Sequence, residues 1–252
     1  MARYILLHET ASTNTYLKRM ASILPSGTVV HTHNQTAGRG QKGNSWEAEP
    51  GKNLTFSMLI KRPAVAVASQ FRISEAVSLA ITDVLTERYG EGFAIKWPND
   101  IYWHDSKICG ILIELSLNTQ GIEWLVAGIG LNVNQDHFVS DAPNPISIKQ
   151  ITHAETDLEQ LLHAVCERIE SYCSFSGMTD SDFLDTHKRY LSTLYRNDGK
   201  PHAFALPSGE RLQASIVDVE PDGMLVLRHE PQGTLARYAF KQVSHVINET
   251  VL

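Results

Sequence analysis

The sequence predicts an α+β fold, in which a large domain of strands and helices is followed by a small all-β domain. Two observations predict it. Strands and amphipathic helices share the first 195 residues, and several of these strands follow one another with no helix between them. After Arg196 the pattern changes to short alternating segments. We therefore expect a large domain over residues 1–195 and a β-barrel over 196–252, about 55 residues and near the lower size limit for folding alone.

The large domain begins with strands, two helices and a long loop. Short, largely apolar segments predict three strands, at Ala2–His8, Thr28–His33 and Asn53–Ile60. Ser12 is a candidate N-cap for a helix after the first strand. Apolar residues three and four apart predict a longer helix over 69–89. Residues 34–52 hold four glycines and no apolar period, which predicts a functional or mobile loop.

The rest of the chain contains a run of strands, two helices and the small β domain. Apolar segments punctuated by turns predict four strands, at Phe93–Trp97, Ile101–Trp103, Ile108–Ser116 and Glu123–Asn134. Amphipathic periodicity predicts helices over 157–175 and 181–193. Beyond Pro201, Pro-Ser-Gly, Pro-Asp-Gly and Pro-Gln-Gly turns separate short strands, a pattern typical of a small barrel.

The charge balance excludes one class of partner. Lys and Arg number 22 against 28 Asp and Glu, a net charge of −6, so the chain has no bulk positive charge for nucleic-acid phosphates. Three widely spaced cysteines form no CxxC pair, which argues against a disulfide framework and a zinc site. No apolar run approaches the ~18 residues of a membrane helix. We expect a cytoplasmic protein that binds neither nucleic acid nor a membrane.

A glycine-rich loop from Gly38 to Gly43 (GRGQKG) is the first candidate site. It fits G-x-G-x-x-G, but a dinucleotide fold needs that motif before a helix, and a strand follows here. A Walker A loop is excluded because Asn44 follows where a lysine is required. Glycines let backbone N–H groups converge on an anion, and Arg39 and Lys42 add positive charge. The alternative is a solvent-exposed mobile loop.

The segment from Lys96 to Asp100 (KWPND), followed by Lys107, is the second candidate. A lysine on each side of a Pro-Asn-Asp turn suits a site for charged oxygens, because ammonium groups neutralise phosphate or carboxylate. Asp100 is a candidate ligand for Mg²⁺ or an orienting partner for a lysine. The alternative is a hairpin with an Asx-turn and two solvated lysines.

The segment from Gly128 to Asn134 (GIGLNVN) is the third candidate. Glycines weaken the interior of a strand unless something must approach its backbone closely. Asn132 and Asn134 are two residues apart and point to one face, where they can contact an adenine or ribose edge. The alternative is a bulge in which the asparagines cap a turn.

In combination and in this order, the motifs resemble those of the biotin protein ligases, over about residues 10–135. The resemblance rests on Ser12-Thr13-Asn14, QTAGRG from Gln35, Trp46, KWPND, Lys107, GILIE from Gly110, and GIGLNVN. It implies a mixed, largely antiparallel sheet flanked by helices, similar to class II aminoacyl-tRNA synthetases, followed by an SH3-like β-barrel. Residues 1–195 are then the catalytic domain and 196–252 the barrel.

The resemblance also implies an activity. Members of the family use ATP and Mg²⁺ to convert biotin to biotinyl-5′-AMP and pyrophosphate. They then transfer biotin to one lysine of the biotin carboxyl carrier domain of acetyl-CoA carboxylase or a related carboxylase. Some members carry an N-terminal DNA-binding domain, whereas this chain begins at the catalytic strand and resembles the short form. We expect a monomer or a homodimer.

Site residues follow from the resemblance, motif by motif. For biotin they are Ser12, Thr13, Asn14, Gln35, Gly38, Arg39, Gly40, Lys107 and Gly110. For ATP they are Arg39, Gly40, Trp46, Lys96, Asn99 and Asn132. The catalytic set is Lys107, Arg39, Lys96 and Asp100, with Asp100 also the candidate Mg²⁺ ligand. Placed cations matter more than an acid or base, because the reaction brings a carboxylate and a phosphate together.

The sequence departs from the family pattern at three positions. The family loop is usually richer in arginine, and Gln41 and Asn44 stand where two arginines are usual, which bears on retention of the adenylate. Cys109 stands where many members have Gly or Ala, and we interpret it as a packing residue rather than a nucleophile.

Two other functions remain open from the sequence. A lipoate ligase or octanoyl-transferase shares the core architecture, but an acyl chain needs a longer apolar channel. A non-catalytic regulator that binds biotin or a nucleotide is disfavoured by Arg39, Asp100 and Lys107, because a passive binder does not need charged groups around a carboxylate.

Overall fold

The computed structural model describes residues 3–41, 44–139 and 144–247, and its larger sheet has seven strands. These are β1 (Arg3–Thr10), β2 (Thr28–Gln35), β3 (Leu54–Lys61), β4 (Phe93–Lys96), β5 (Asp100–Trp103), β6 (Ser106–Asn118) and β7 (Gly121–Leu131). Their order is β1-β2-β3-β7-β6-β5-β4. β1 and β2 are parallel, and the other five neighbouring pairs are antiparallel. The predicted mixed, largely antiparallel sheet is confirmed.

Five α-helices accompany this sheet within the described ranges: α1 (Thr13–Met20), α2 (Phe71–Tyr89), α3 (Ile148–Thr152), α4 (Leu158–Tyr172) and α5 (Asp180–Thr193). As predicted, Ser12 is the N-cap of α1 and its Oγ accepts a hydrogen bond from the Thr15 N–H. The helix α3 was not predicted, because five residues are too few to show a helical period. No helix in the described part of the chain is long and apolar enough to span a bilayer.

The two faces of the large sheet are covered by different helices. Alternate residues of a strand point to opposite faces. Phe56 and Met58 belong to a core shared with α2 and α4, whereas Leu59 and Val126 pack with Leu17 of α1. Since α1 has only eight residues, it covers one end of its face and leaves the remainder open for a site.

The C-terminal strands form a second sheet: β8 (His202–Ala205), β9 (Arg211–Val219), β10 (Leu225–His229), β11 (Leu235–Tyr238) and β12 (Ser244–His245). All its pairs are antiparallel, in the order β11-β10-β9-β8-β12, which is consistent with an SH3-like domain. The expected barrel is corrected in one respect. Among the described strands the sheet does not close, because β12 has two residues and pairs with β8 at the opposite edge from β11.

The second sheet packs on the large one beside the KWPND segment. Phe204 and Leu225 share a buried cluster with Ile95 and Trp97 of the large domain. The Trp97 indole N–H also donates a hydrogen bond to the Gly223 carbonyl at 3.0 Å. The two sheets therefore hold the KWPND segment between them.

His187 of α5 adds an electrostatic link between the same two parts of the chain. Its Nδ1 lies 2.7 Å from Glu75 Oε1 on α2, and its Nε2 lies 2.8 Å from Asp218 Oδ1 on β9. The hydrogen bond with Glu75 is the main cause that raises the pKa of His187 to about 9, against the opposing effect of burial. His187 is therefore an imidazolium between two carboxylates at neutral pH.

We expect this link to make stability fall at alkaline pH. The pKa of His187 is above its ordinary value of 6.5, so the stabilisation is fully present below about pH 6.5 and is lost as the pH rises through about 9. Allowing for the partly exposed Asp218, His187→Gln should cost about 2 kcal/mol at pH 6 and much less at pH 10. Urea unfolding of both proteins at each pH measures the difference. An equal cost at both values would contradict the assignment.

Candidate active site

A cleft of about 750 Å³ opens on the α1 face of the large sheet and extends to the second sheet. It is lined by every predicted site residue except Gly38: Ser12, Thr13, Asn14, Gln35, Arg39, Gly40, Trp46, Lys96, Asn99, Asp100, Lys107, Gly110 and Asn132. Gly38 packs on the loop itself, where a Cβ would lie 2.6 Å from the Trp46 carbonyl oxygen. Lys42, the second predicted loop cation, lies outside the described residues.

Asn14, at the start of α1, has an orientation fixed by its neighbours. Its Nδ2 donates to the Leu112 carbonyl at 3.2 Å and to Glu114 Oε2 at 2.9 Å. The buried hydroxyl of Ser57 lies 2.5 Å from Asn14 Oδ1 and 2.7 Å from Thr13 Oγ1. Both amide N–H groups of Asn14 are therefore satisfied, and its carbonyl oxygen retains a lone pair for a ligand N–H.

Thr13 and Gln35 join α1 to the end of β2. Gln35 Oε1 accepts a hydrogen bond from the Thr13 backbone N–H at 3.0 Å. The side chain of Gln35 thereby satisfies an N–H at the helix start, where such groups lack partners within the helix. The contact fixes the point at which the glycine-rich loop leaves β2.

Three glycines of β6 and β7 make room for side chains from elsewhere. A Cβ on Gly128 would lie 2.1 Å from Asn14 Oδ1. A Cβ on Gly130 would lie 2.2 Å from the Trp46 indole, and one on Gly110 would lie 2.9 Å from the same ring. The close approach that the sequence predicts for the segment from Gly128 to Asn134 is confirmed at Gly128 and Gly130, where the approaching groups are Asn14 and Trp46.

Two lysines and a carboxylate form one charged group in the cleft. Lys107 Nζ lies 2.7 Å from Asp100 Oδ1 and 5.6 Å from the centre of a Trp46 ring. Lys96 Nζ lies 4.9 Å from the centre of the Tyr102 ring. Burial lowers the pKa of Lys96, while Asp100 acts in the opposite direction. Because two lysines outnumber the one carboxylate, this group favours an anionic ligand.

The donor set at Asp100 fits a magnesium ion that arrives with phosphates. Mg²⁺ is usually held by one or two carboxylates together with substrate phosphate oxygens. Among the described residues, no three His, Cys, Asp or Glu side chains group as a metal site. Asp100 already pairs with Lys107, so it can supply one protein oxygen to such an ion rather than a complete coordination shell.

The predicted asparagines differ in what they contact. Asn99 Nδ2 donates to the Ile111 carbonyl at 2.6 Å, and Asn132 Nδ2 donates to that of Ile146 at 3.1 Å. The buried Asn132 Oδ1 has no hydrogen-bond partner among the described residues, which leaves it available to a ligand. Asn134 bonds the Thr156 backbone through both ends of its amide. It is absent from the cleft lining, so the turn-capping alternative applies to it.

Residues of the second sheet also line the cleft and were not predicted from the sequence. Phe204, Ser244 and His245 are examples. Burial lowers the pKa of His245 to about 3, and the charge of Lys96 acts in the same direction, so this imidazole is neutral at neutral pH. Nothing in the local sequence marks these residues, because they reach the site through contacts between distant segments.

Comparison with known proteins identifies the family. The profile of the Biotin/lipoate A/B protein ligase family matches residues 6–134, just over half of the 252 residues. The chain belongs to this family. The matched segment contains α1, the glycine-rich loop, KWPND, Lys107 and GIGLNVN.

This family member is similar to several named ligases. It is 36% identical over 125 residues to the bifunctional ligase/repressor BirA of Escherichia coli, covering 48% of this chain and 38% of that protein. It is 31% identical over 163 residues to a biotin–[acetyl-CoA-carboxylase] ligase of Paracoccus denitrificans, covering 62% of this chain and 67% of that protein. The chain thus spans about two fifths of the E. coli relative's length.

The fold agrees with a solved structure over nearly the whole length of both proteins. The biotin protein ligase of Aquifex aeolicus in complex with biotin and ATP superposes with a TM-score of 0.79 at 24% identity. The match covers 97% of this chain and 98% of that one, so both sheets have counterparts there.

We expect Gly130→Ala to weaken ligand binding in the cleft by about tenfold or more. The added methyl group overlaps the Trp46 indole and must displace it, and overpacking of this kind typically costs about 1–3 kcal/mol. Calorimetric titration with biotin and with ATP measures the loss. In a Trp46→Ala background the clash is gone, so the same substitution should add little. A full additional loss in that background would show that the indole is not responsible.

Proposed function

We propose that this protein is an ATP-dependent biotin–protein ligase. It converts biotin and ATP to biotinyl-5′-AMP and pyrophosphate, and then transfers biotin to a lysine of a biotin carboxyl carrier domain. The observation that carries the proposal is one cleft that contains the fixed amide of Asn14, the Trp46 ring, and the pair Lys96 and Lys107. The names of the Paracoccus and Aquifex relatives support the same activity.

The polar end of the cleft at α1 is suited to the ureido ring of biotin. Asn14 Oδ1 can accept a ureido N–H, because its own N–H groups are already bonded to Leu112 and Glu114. Ser12, Thr13, Gln35, Gly40 and Gly110 complete our proposed biotin-binding set, and Gly38 supports the loop from behind. Trp46, Asn99 and Asn132 belong to the nucleotide end, where Asn132 Oδ1 is free to accept.

The first step joins two anions. A biotin carboxylate oxygen attacks the α-phosphorus of ATP, a new C(O)O–P bond forms, and the bond to the pyrophosphate leaving group breaks. Lys107 and Arg39 reduce the repulsion between the carboxylate and the phosphate. Lys96 stabilises charge on the phosphates. Asp100 would supply a carboxylate oxygen to Mg²⁺, which would offset phosphate charge when bound.

The second step needs no group on the enzyme to carry biotin. The carrier lysine, as a free amine, attacks the acyl carbonyl of the adenylate, AMP leaves with the bonding electron pair, and the nitrogen loses a proton to solvent as the amide forms. Cys109 is fully buried, and burial raises the pKa of its thiol, so it does not supply a thiolate nucleophile. Closure of the loop that carries Arg39 would protect the adenylate from water.

The proposal also covers the domain division, the acceptor and the cellular location of the protein. We divide it into a catalytic domain, 1–195, and a C-terminal domain, 196–252, since α5 ends at Thr193 and β8 begins at His202. The acceptor is the carrier domain of acetyl-CoA carboxylase or a related carboxylase. Three buried, free cysteines support a reducing cytoplasm as the site of action.

Pyrophosphate release distinguishes biotin from lipoate as the substrate. We expect release with ATP, Mg²⁺ and biotin, and little with lipoate, because the end of the cleft at α1 offers a fixed polar amide rather than an apolar channel. The assay uses the full chain with each acid in turn. Release with lipoate but not with biotin would refute the proposal, and binding of biotin with no turnover would favour a regulator.

Replacement of Lys107 tests the electrostatic mechanism. Lys107→Ala should slow adenylate formation by at least ~100-fold, or about 2.7 kcal/mol, because the charge that offsets the approaching anions is removed. Lys149→Ala is the matched control, since Lys149 pairs with Asp136 and does not line the cleft. Near-normal rates for Lys107→Ala, or an equal loss in both variants, would rule out the assigned role.

A further inference from the structure

Glu114, on β6, gathers three side chains around one carboxylate beside the cleft. Its Oε1 accepts a hydrogen bond from Lys18 Nζ at 2.7 Å, and its Oε2 accepts one from Asn14 Nδ2 at 2.9 Å. The Arg39 guanidinium Nη2 lies 3.8 Å from the same Oε2. Burial acts to raise the pKa of Glu114, but the bonds from Lys18 and Asn14 outweigh it and the pKa is lowered, so the group is ionised.

Arg39 is held loosely in this position. Its side chain is 51% exposed, and its other described contact is a hydrogen bond that Nη2 donates to Thr15 Oγ1 at 3.1 Å. An ion pair at this separation and exposure contributes little, because solvent screens it. Arg39 also lines the cleft, so a ligand carboxylate or phosphate there can offer the guanidinium a closer partner.

We propose that Glu114 is an internal counter-ion that holds Arg39 against the cleft wall, and that an anionic ligand competes with it for the guanidinium. The inference rests on the proposed function, because it requires biotinyl-5′-AMP or its precursors in the cleft. Glu114 is a positioning residue, since it contacts Asn14 and Arg39 and does not itself line the cleft. Lys18 weakens the attraction between Glu114 and Arg39, because Lys18 partly neutralises the Glu114 carboxylate through its other oxygen.

The proposal and a purely structural role for Glu114 predict opposite changes in the rate of ligand release. If Glu114 only supported the biotin pocket, loss of its charge would speed the release of ligand. If it competes for Arg39, Glu114→Gln leaves an oxygen to accept from Asn14 and frees the guanidinium for the adenylate. Release of biotinyl-5′-AMP should then slow by about two- to fivefold, the range that an exposed ion pair covers.

The experiment preforms labelled biotinyl-5′-AMP on the full-length protein and chases it with unlabelled ligand. Glu114→Gln should release it more slowly than the wild type, and the difference should shrink at high salt. In an Arg39→Ala background, Glu114→Gln should have no effect. Glu9→Gln is the matched control and should release at the wild-type rate, since it neutralises a carboxylate that bonds Asn34 instead.

A second substitution tests the proposal from the opposite direction. Lys18→Met leaves Glu114 unneutralised on that side, so Arg39 is held more firmly and release should be about twofold faster. Any of three results would overturn the proposal. The first is unchanged or faster release in Glu114→Gln, and the second is an effect of Glu114→Gln that persists in the Arg39→Ala background. The third is unchanged or slower release in Lys18→Met. Failure of the wild type to form any adenylate would instead refute the proposed function.

Discussion

The site depends on a local absence of side chains in two paired strands. Gly110 and Gly130 face each other across β6 and β7, and Gly128 faces Leu112 two residues further along. At these positions the Trp46 indole and the Asn14 amide lie where a Cβ would otherwise stand. Glycine ordinarily weakens a strand. These glycines therefore lower the intrinsic stability of the sheet, and they also deepen the cleft. The Trp46 ring that lies against Gly110 and Gly130 is also the ring beside which Lys107 lies.

The second constraint is the placement of a few charges in an acidic protein. A net charge of −6 gives no general attraction for anions, yet Lys96 and Lys107 lie together in a partly buried cleft, where electrostatic interactions are stronger than in water. Asp100 limits the repulsion between the two lysines by pairing with one of them. The neutral state of His245 fits the same arrangement, because another buried cation near Lys96 would add to the cost of burial.

The sequence predicted most of what local pattern can encode. The periodicity of α2 and α4, the N-cap Ser12 and the strands around KWPND depend on neighbours in sequence, and all are present. Contacts that join distant segments were missed. Glu114 is the last residue of the GILIE motif and was given no role from the sequence, although its side chain accepts a hydrogen bond from Asn14, 100 residues away in the chain. Ser57 and His245 carried no local signal, and Asn134 matched the ligand pattern while bonding the backbone of Thr156.

The contacts divide the cleft into a rigid part and an exchangeable part. Asn14 is fixed by bonds to Leu112, Glu114 and Ser57, and the KWPND segment is held between the two sheets by Trp97. Arg39, by contrast, has one neutral hydrogen bond and one long ion pair. The two-step ligase reaction that we propose would need both properties, because biotin and ATP must be bound in one geometry and the acceptor amine must later reach the adenylate. In that proposal the rigid part of the cleft would orient the reacting groups, whereas an Arg39 that exchanges one anion for another could cover the intermediate without permanently closing the cleft.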